Sequence, residues 1–162
     1  MNERTTHLAE LATLTKAILE GALVQQVGAF CFRAGPDRSA EILLVTTRGT
    51  RRWTIPKGWP IAGLKPHKAA EREAWEEGGV KGKAGKRAFG SYSYIKALPA
   101  GRVPAIVDVY VLAATTTRAE FPEQEERDVL WLPPLEAALL VREPELKSLM
   151  AKFAKTKPEW PC

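Results

Sequence analysis

The stretch from Lys65 to Gly79 constrains this chain more than any other part of it. Pro66 suits a first helical turn, Ala69, Ala70 and Ala74 are good interior residues, and Gly78 and Gly79 stand where a helix stops. On a helix advancing about 100° per residue, Glu76 lies about 60° to one side of Glu73 and Glu77 about 40° to the other. Three carboxylates therefore share one face. Like charges at that spacing destabilise a helix by a few tenths of a kcal/mol per pair, so their grouping is explained if a divalent cation neutralises them. Oxygen-only donors favour Mg²⁺ or Mn²⁺ over zinc. Three acids alone more often mark a solvated face, and it is the frame around them that changes the reading.

Strand patterns surround this helix. Val24 to Arg33 (VQQVGAFCFR) and Glu41 to Arg48 (EILLVTTR) read as buried strands joined by the turn formers Ala34-Gly35-Pro36-Asp37, and a short apolar piece, Trp53 to Ile55, precedes Pro56. Phe89 to Ala97 and Pro104 to Ala114 read as strands about a turn at Leu98 to Gly101, and Arg127 to Leu132 as one more. Leu135 to Val141 and Glu143 to Ala154 have helical periodicity. So does Thr6 to Glu20, where Leu8, Leu11, Leu14, Ala17 and Ile18 predict an amphipathic N-terminal helix ending near Gly21. Helices and strands interleaved in this way predict an α/β domain with a sheet covered by helices.

A length of 162 residues with 45% hydrophobic and 27% charged residues fits one domain with its own core, without disulfides or a structural metal. The net charge of +5 favours anionic partners. Two cysteines with no CxxC spacing point to a reduced, cytoplasmic setting. No window reaches the roughly 18 apolar residues of a membrane span. His67 has no second histidine at ligand spacing and reads as a surface residue, Cys31 and Trp131 as core. Lys81, Lys83, Lys86 and Arg87 read as a soluble, glycine-containing turn after the helix.

The segment Gly58 to Val80, GWPIAGLKPHKAAEREAWEEGGV, resembles the signature of the Nudix hydrolases. Gly58, Arg72, Glu73, Glu76, Glu77, Gly79 and Val80 stand in register with it, and Ala74 fills the small apolar position. One position departs, since the first glutamate of the signature falls on Leu64, and in the family that glutamate supports the loop and the helix arginine or reaches the metal indirectly. The resemblance implies an α/β/α sandwich with a central mixed sheet, here with an N-terminal helix added. It divides the chain into a helical extension (1–21), the Nudix domain (22–157) and a tail (158–162). It implies that Glu73 and Glu77 bind the metal, that Glu76 binds metal or takes a proton from the attacking water, and that the Gly58 carbonyl completes the coordination. Arg72 would hold a carboxylate by a charge-assisted hydrogen bond.

The implied reaction is Mg²⁺- or Mn²⁺-dependent hydrolysis of a phosphoanhydride. Glu120, Glu123, Glu125 and Glu126 lie in a polar stretch from which a downstream base could come, though PEQEERD by itself reads as a solvated loop. The layout from residue 24 to about 141 resembles the branch with the diphosphoinositol polyphosphate phosphohydrolases, which also hydrolyses dinucleoside polyphosphates. Carried over by position, Arg33, Arg48, Arg52 and Lys57 face the substrate phosphates. Gln25 and Gln26 stand where that branch has basic residues, and Trp59-Pro60-Ile61 replaces a more glycine-rich loop, which suits a less charged substrate. A nucleobase could stack on Trp59, Tyr92 or Tyr94. The expected partner is a phosphorylated small molecule, with no membrane, nucleic acid disfavoured, and a monomer or homodimer. The competing expectations are a catalytically silent Nudix-fold domain binding a phosphorylated ligand or RNA, and a general nucleic-acid binder with steep salt dependence.

Overall fold

A computed structural model describes residues 21, 23–99 and 101–156. The predicted N-terminal helix lies outside them. Among the described residues the chain runs β1 (Val24–Ala34), β2 (Ala40–Thr46), β3 (Trp53–Thr54), β4 (Lys57–Gly58), α1 (Pro66–Gly78), β5 (Val80–Ala84), β6 (Gly90–Leu98), β7 (Gly101–Thr117), β8 (Val129–Leu132), α2 (Pro134–Leu140) and α3 (Pro144–Ala154).

The sheet is mixed, and β1 and β7 form its spine. They pair in parallel, Val24 beside Ala105 through Phe32 beside Ala113, and every other pairing is antiparallel. The other edge of β1 has two partners: Val27 and Gly28 meet β4, whereas Phe32 to Ala34 meet β2. β7 likewise divides its far edge between β6 and β5. Side chains alternate across the spine as strand geometry requires. Val27, Ala29, Cys31, Leu43 and Val45 pack beneath α1 with Ala69, Ala70 and Ala74. On the opposite face Phe30, Phe32, Ile42, Leu44 and Val109 pack with Leu146, Met150 and Phe153 of α3. The predicted α/β/α sandwich is therefore what forms.

Three local expectations need correction. The stretch after the helix is a turn only in its second half: Val80–Ala84 is a strand, with Val80 buried, Lys81 and Lys83 exposed and a backbone paired to β7, whereas Lys86 and Arg87 lie in an exposed bend. Gly82 lies so close to β7 that a Cβ there would run into the Ala113 carbonyl. His67 is buried, not at the surface, because it shares the inward stripe of α1 with Ala70, Ala74 and Glu77 at helical spacing. Trp131 is half-buried, its ring covered by the Arg33 guanidinium 4.2 Å from the centroid. Cys31 is core, as predicted.

Candidate active site

A cavity of about 1050 Å³ opens between α1, β4, the β6–β7 hairpin, the 118–128 loop and the α2–α3 junction. α1 delivers the acids to it. The helix ends at Gly79, whose φ of 68° lies in the left-handed region that glycine enters without penalty. Glu73, Glu76 and Glu77 project from its last two turns into the cavity.

Glu77 is the most constrained of them. It is 6% exposed, and both of its oxygens have partners: Oε1 accepts from Arg127 Nη2 at 3.0 Å and Oε2 from the Lys57 backbone N–H at 3.2 Å. Burial pushes its pKa up to about 7 against the opposing pull of Arg127 and Lys57. Glu73 is also pushed up to about 7, first by burial and then by repulsion from Glu77, Glu76 and Glu123. Its carboxylate lies against Gly58, where a Cβ would collide with it. A side chain at this position would have to push the Glu73 carboxylate aside, which gives Gly58 a steric role that spacing did not reveal. The half-buried Glu76 completes the wall.

Cations line the same cavity. Arg48, Arg52 and Lys57 all line the cavity, with Arg72, Lys96 and Arg102. Arg48 is exposed and loosely tied to Glu126 at 3.4 Å and Glu123 at 3.8 Å. Arg52 is half-buried against Glu143 at 3.2 Å. Burial lowers the pKa of Lys57, whose ammonium sits 5.1 Å from the centre of the Tyr94 ring, and Glu77 opposes that shift. The Tyr94 hydroxyl donates to Gln26 Oε1. Trp59 is 48% exposed at the rim, with the Lys96 ammonium 5.4 Å from its ring centre.

The structure brings Gly58, Arg72, Glu73, Glu76, Glu77, Arg48, Arg52 and Lys57 to one cavity, but not Arg33. Arg33 is held by Glu41 at 3.1 Å and by the Trp131 ring, at the end of β1 where β2 rather than β4 is the neighbour. Tyr92 is also withdrawn, being 1% exposed in the core beneath the sheet. Of the four downstream acids only Glu123 lines the cavity. PEQEERD is a largely exposed loop, as expected, with one exception: Arg127 is buried, with Nη2 2.9 Å from Glu123 and Nη1 2.9 Å from the Thr46 carbonyl. A charged run gives no sequence signal for such burial, because the partners lie far away in the chain.

The donor set suits an oxygen-seeking divalent cation. In this conformation no three carboxylate, imidazole or thiolate groups among the described residues converge on one point. They line a wall, which fits an ion such as Mg²⁺ that keeps several of its own waters. The crowding of Glu73 against three other carboxylates is the kind of strain a bound cation relieves.

The NUDIX domain family matches residues 24–153. Diphosphoinositol polyphosphate phosphohydrolase 3-alpha of Mus musculus and of Homo sapiens are each 41% identical over 63 residues, 38% of this chain and 37% of the relative. The match thus spans little more than a third of the length of these relatives. In fold, the chain is similar to a C. elegans Ap4A hydrolase in a binary complex (TM-score 0.60, 20% identity, 81% of this chain and 95% of that one). It is also similar to a MutT protein from Methanosarcina mazei (TM-score 0.57, 19% identity, 81% and 92%). The chain belongs to the Nudix family.

Proposed function

We propose that this Nudix chain is a divalent-cation-dependent pyrophosphohydrolase that cleaves a phosphoanhydride in a nucleoside polyphosphate, a dinucleoside polyphosphate or a diphosphoinositol polyphosphate. The observation that carries it is one cavity lined both by the carboxylates of α1 and by a set of cations. Such a cavity holds a polyphosphate by its cations and leaves its reacting phosphorus beside oxygen donors. The names of the similar proteins, diphosphoinositol polyphosphate phosphohydrolases and an Ap4A hydrolase, support the substrate classes.

Glu73, Glu76 and Glu77, with the Gly58 carbonyl, would hold Mg²⁺ or Mn²⁺. When bound, the cation neutralises the pyrophosphate and lowers the pKa of water. The residues of the chain do the rest. Arg48, Arg52 and Lys57 orient the phosphates, and Arg72 adds charge beside the acids. Glu76, or Glu123 from the facing loop, takes the proton as the water oxygen attacks phosphorus in line and the bridging oxygen leaves with the departing phosphate. The Nudix unit corresponds to residues 22–157, with 1–21 and 158–162 as extensions, and the cytoplasm is its compartment. Among the described residues no helix is long and apolar enough to cross a membrane.

Leu64, 37% exposed where the resemblance expects a glutamate, favours the second reading, a catalytically silent domain that binds a phosphorylated ligand or RNA. Phosphate or mononucleotide release from a panel of the three substrate classes, with and without Mg²⁺, separates the two. Mg²⁺-dependent turnover lost in Glu77→Gln is the expected result. Ligand binding without turnover on any substrate would favour the silent domain.

A further inference from the structure

The arginine that steadies the acidic wall is not the one inside the acidic motif. Arg72 is exposed, opens onto the cavity and forms no ion pair among the described residues. Arg127 is 6% exposed on its side chain and directs its donors to groups from three elements. Nη2 meets Glu77 Oε1 of α1 at 3.0 Å, Nη2 and Nε meet Glu123 Oε1 of the loop at 2.9 and 3.3 Å, and Nη1 meets the Thr46 carbonyl of β2 at 2.9 Å. A guanidinium so engaged has little left to offer a ligand. Its fork also fixes orientation in a way an ammonium cannot.

The loop that carries it is itself pinned. The Asp128 N–H donates to Thr46 Oγ1 at 2.9 Å and the Thr46 N–H to the Asp128 carbonyl at 3.1 Å, while the Glu123 N–H reaches the Glu76 carbonyl at 3.0 Å. Glu77 is thereby held on both oxygens, by Arg127 on one side and the Lys57 amide on the other. At the position where a loop glutamate would have engaged Arg72, the chain has the apolar Leu64.

We propose that Arg127 is the positioning residue of the carboxylate wall, fixing Glu77 and Glu123 toward a bound divalent cation, and that Arg72 is thereby released to the substrate phosphates. This rests on the hydrolase reading only for its kinetic consequences, because cation binding by the free chain tests it alone.

The experiment uses the full chain as wild type, Arg127→Met, Arg127→Lys and Arg72→Met. Circular dichroism checks folding, Mn²⁺ binding without substrate is followed by electron paramagnetic resonance, and turnover is measured against Mg²⁺ and substrate. Removing the outer partner of a metal-ligating group costs about 10- to 100-fold in metal affinity or activity. Arg127→Met is expected to weaken Mn²⁺ binding and lower kcat by that order with little change in KM, and Arg127→Lys to recover part of the loss. Arg72→Met is expected to raise KM and leave Mn²⁺ affinity unchanged. Should Arg127→Met not fold, Arg127→Lys decides the question. A folded Arg127 variant that binds Mn²⁺ as the wild type does overturns the inference while leaving the hydrolase intact. A wild type that turns over every substrate class without any divalent cation, or binds no Mn²⁺ and turns over nothing, overturns the proposed function itself.

Discussion

The two walls of the cavity are built on opposite plans. On the acidic side Glu77 is almost wholly buried with both oxygens engaged, and Glu73 lies directly against the backbone of Gly58. On the basic side Arg48 is exposed, and its nearest carboxylate contacts are 3.4 and 3.8 Å long. Charges that must hold an ion in a set geometry are fixed by burial and by fully used hydrogen bonds. Charges that gather a polyanion need only number and reach, and long solvated side chains supply both. The acidic wall should therefore be brittle and Arg48 tolerant of change.

The largest effect is expected at the join between helix and loop. Arg127→Met leaves Glu77 buried without its counter-charge, and breaking a buried pair costs about 3–5 kcal/mol. Urea denaturation should show that loss, and a loss below about 1 kcal/mol would mean the wall is as forgiving as the basic side. Gly58→Ala comes next. The new methyl collides with the Glu73 carboxylate, and overpacking of this kind costs about 1–3 kcal/mol. Thermal denaturation reads the cost, and Mn²⁺ titration reads the displacement of Glu73.

The pH dependence of the cation-free chain reads the same two acids. Glu73 and Glu77 have pKa values near 7 when folded against an ordinary 4.5, so between these values the folded chain holds more protons than the unfolded one. Stability must then fall as pH rises through that window, and is greatest below it as far as these two groups are concerned. The melting temperature without divalent cations should be higher at about pH 5 than at about pH 8, and added Mg²⁺ should raise it more at the higher pH. A melting temperature that rises across the window would show that both acids are already fully compensated. The smallest effect is expected at Arg48→Ala. An exposed ion pair contributes about 0–1 kcal/mol, so KM should rise a few-fold with kcat and stability unchanged. A loss in kcat instead would place Arg48 with the rigid wall.

How much of this was legible in the sequence follows the same division. α1 was readable because its register is local: the interior alanines Ala69, Ala70 and Ala74, a proline at the start and glycines at the end specify the helix, and the spacing of its glutamates the acidic face. The spine strands were readable for the same reason, as continuous apolar runs. β5 was missed, although Val80, Gly82 and Ala84 alternate with Lys81 and Lys83 at the period of a strand, because lysines and glycines together resemble a turn. Outward lysines on a short strand guard a sheet edge. Arg127 was beyond reach, since its burial depends on Thr46 and Glu77, 81 and 50 positions away. Arg33 failed for a related reason: the division of β1 between two partners sends its two ends to different neighbourhoods, and only the half beside β4 borders the cavity.

The parallel pairing of β1 with β7 also bears on how the molecule comes into being. Val24 finds Ala105 only after 81 further residues have been made. At a synthesis rate of about 5–20 residues per second, the first strand waits several seconds for its central partner. During that time its apolar stretch, VGAFCF, has only β2 and β4 to pair with, and α1 to cover one of its faces. Contacts of such long sequence separation also slow the search itself. The acidic helix can therefore form early while the wall it belongs to is assembled late, when the 118–128 loop and the last strand, β8, join the sheet.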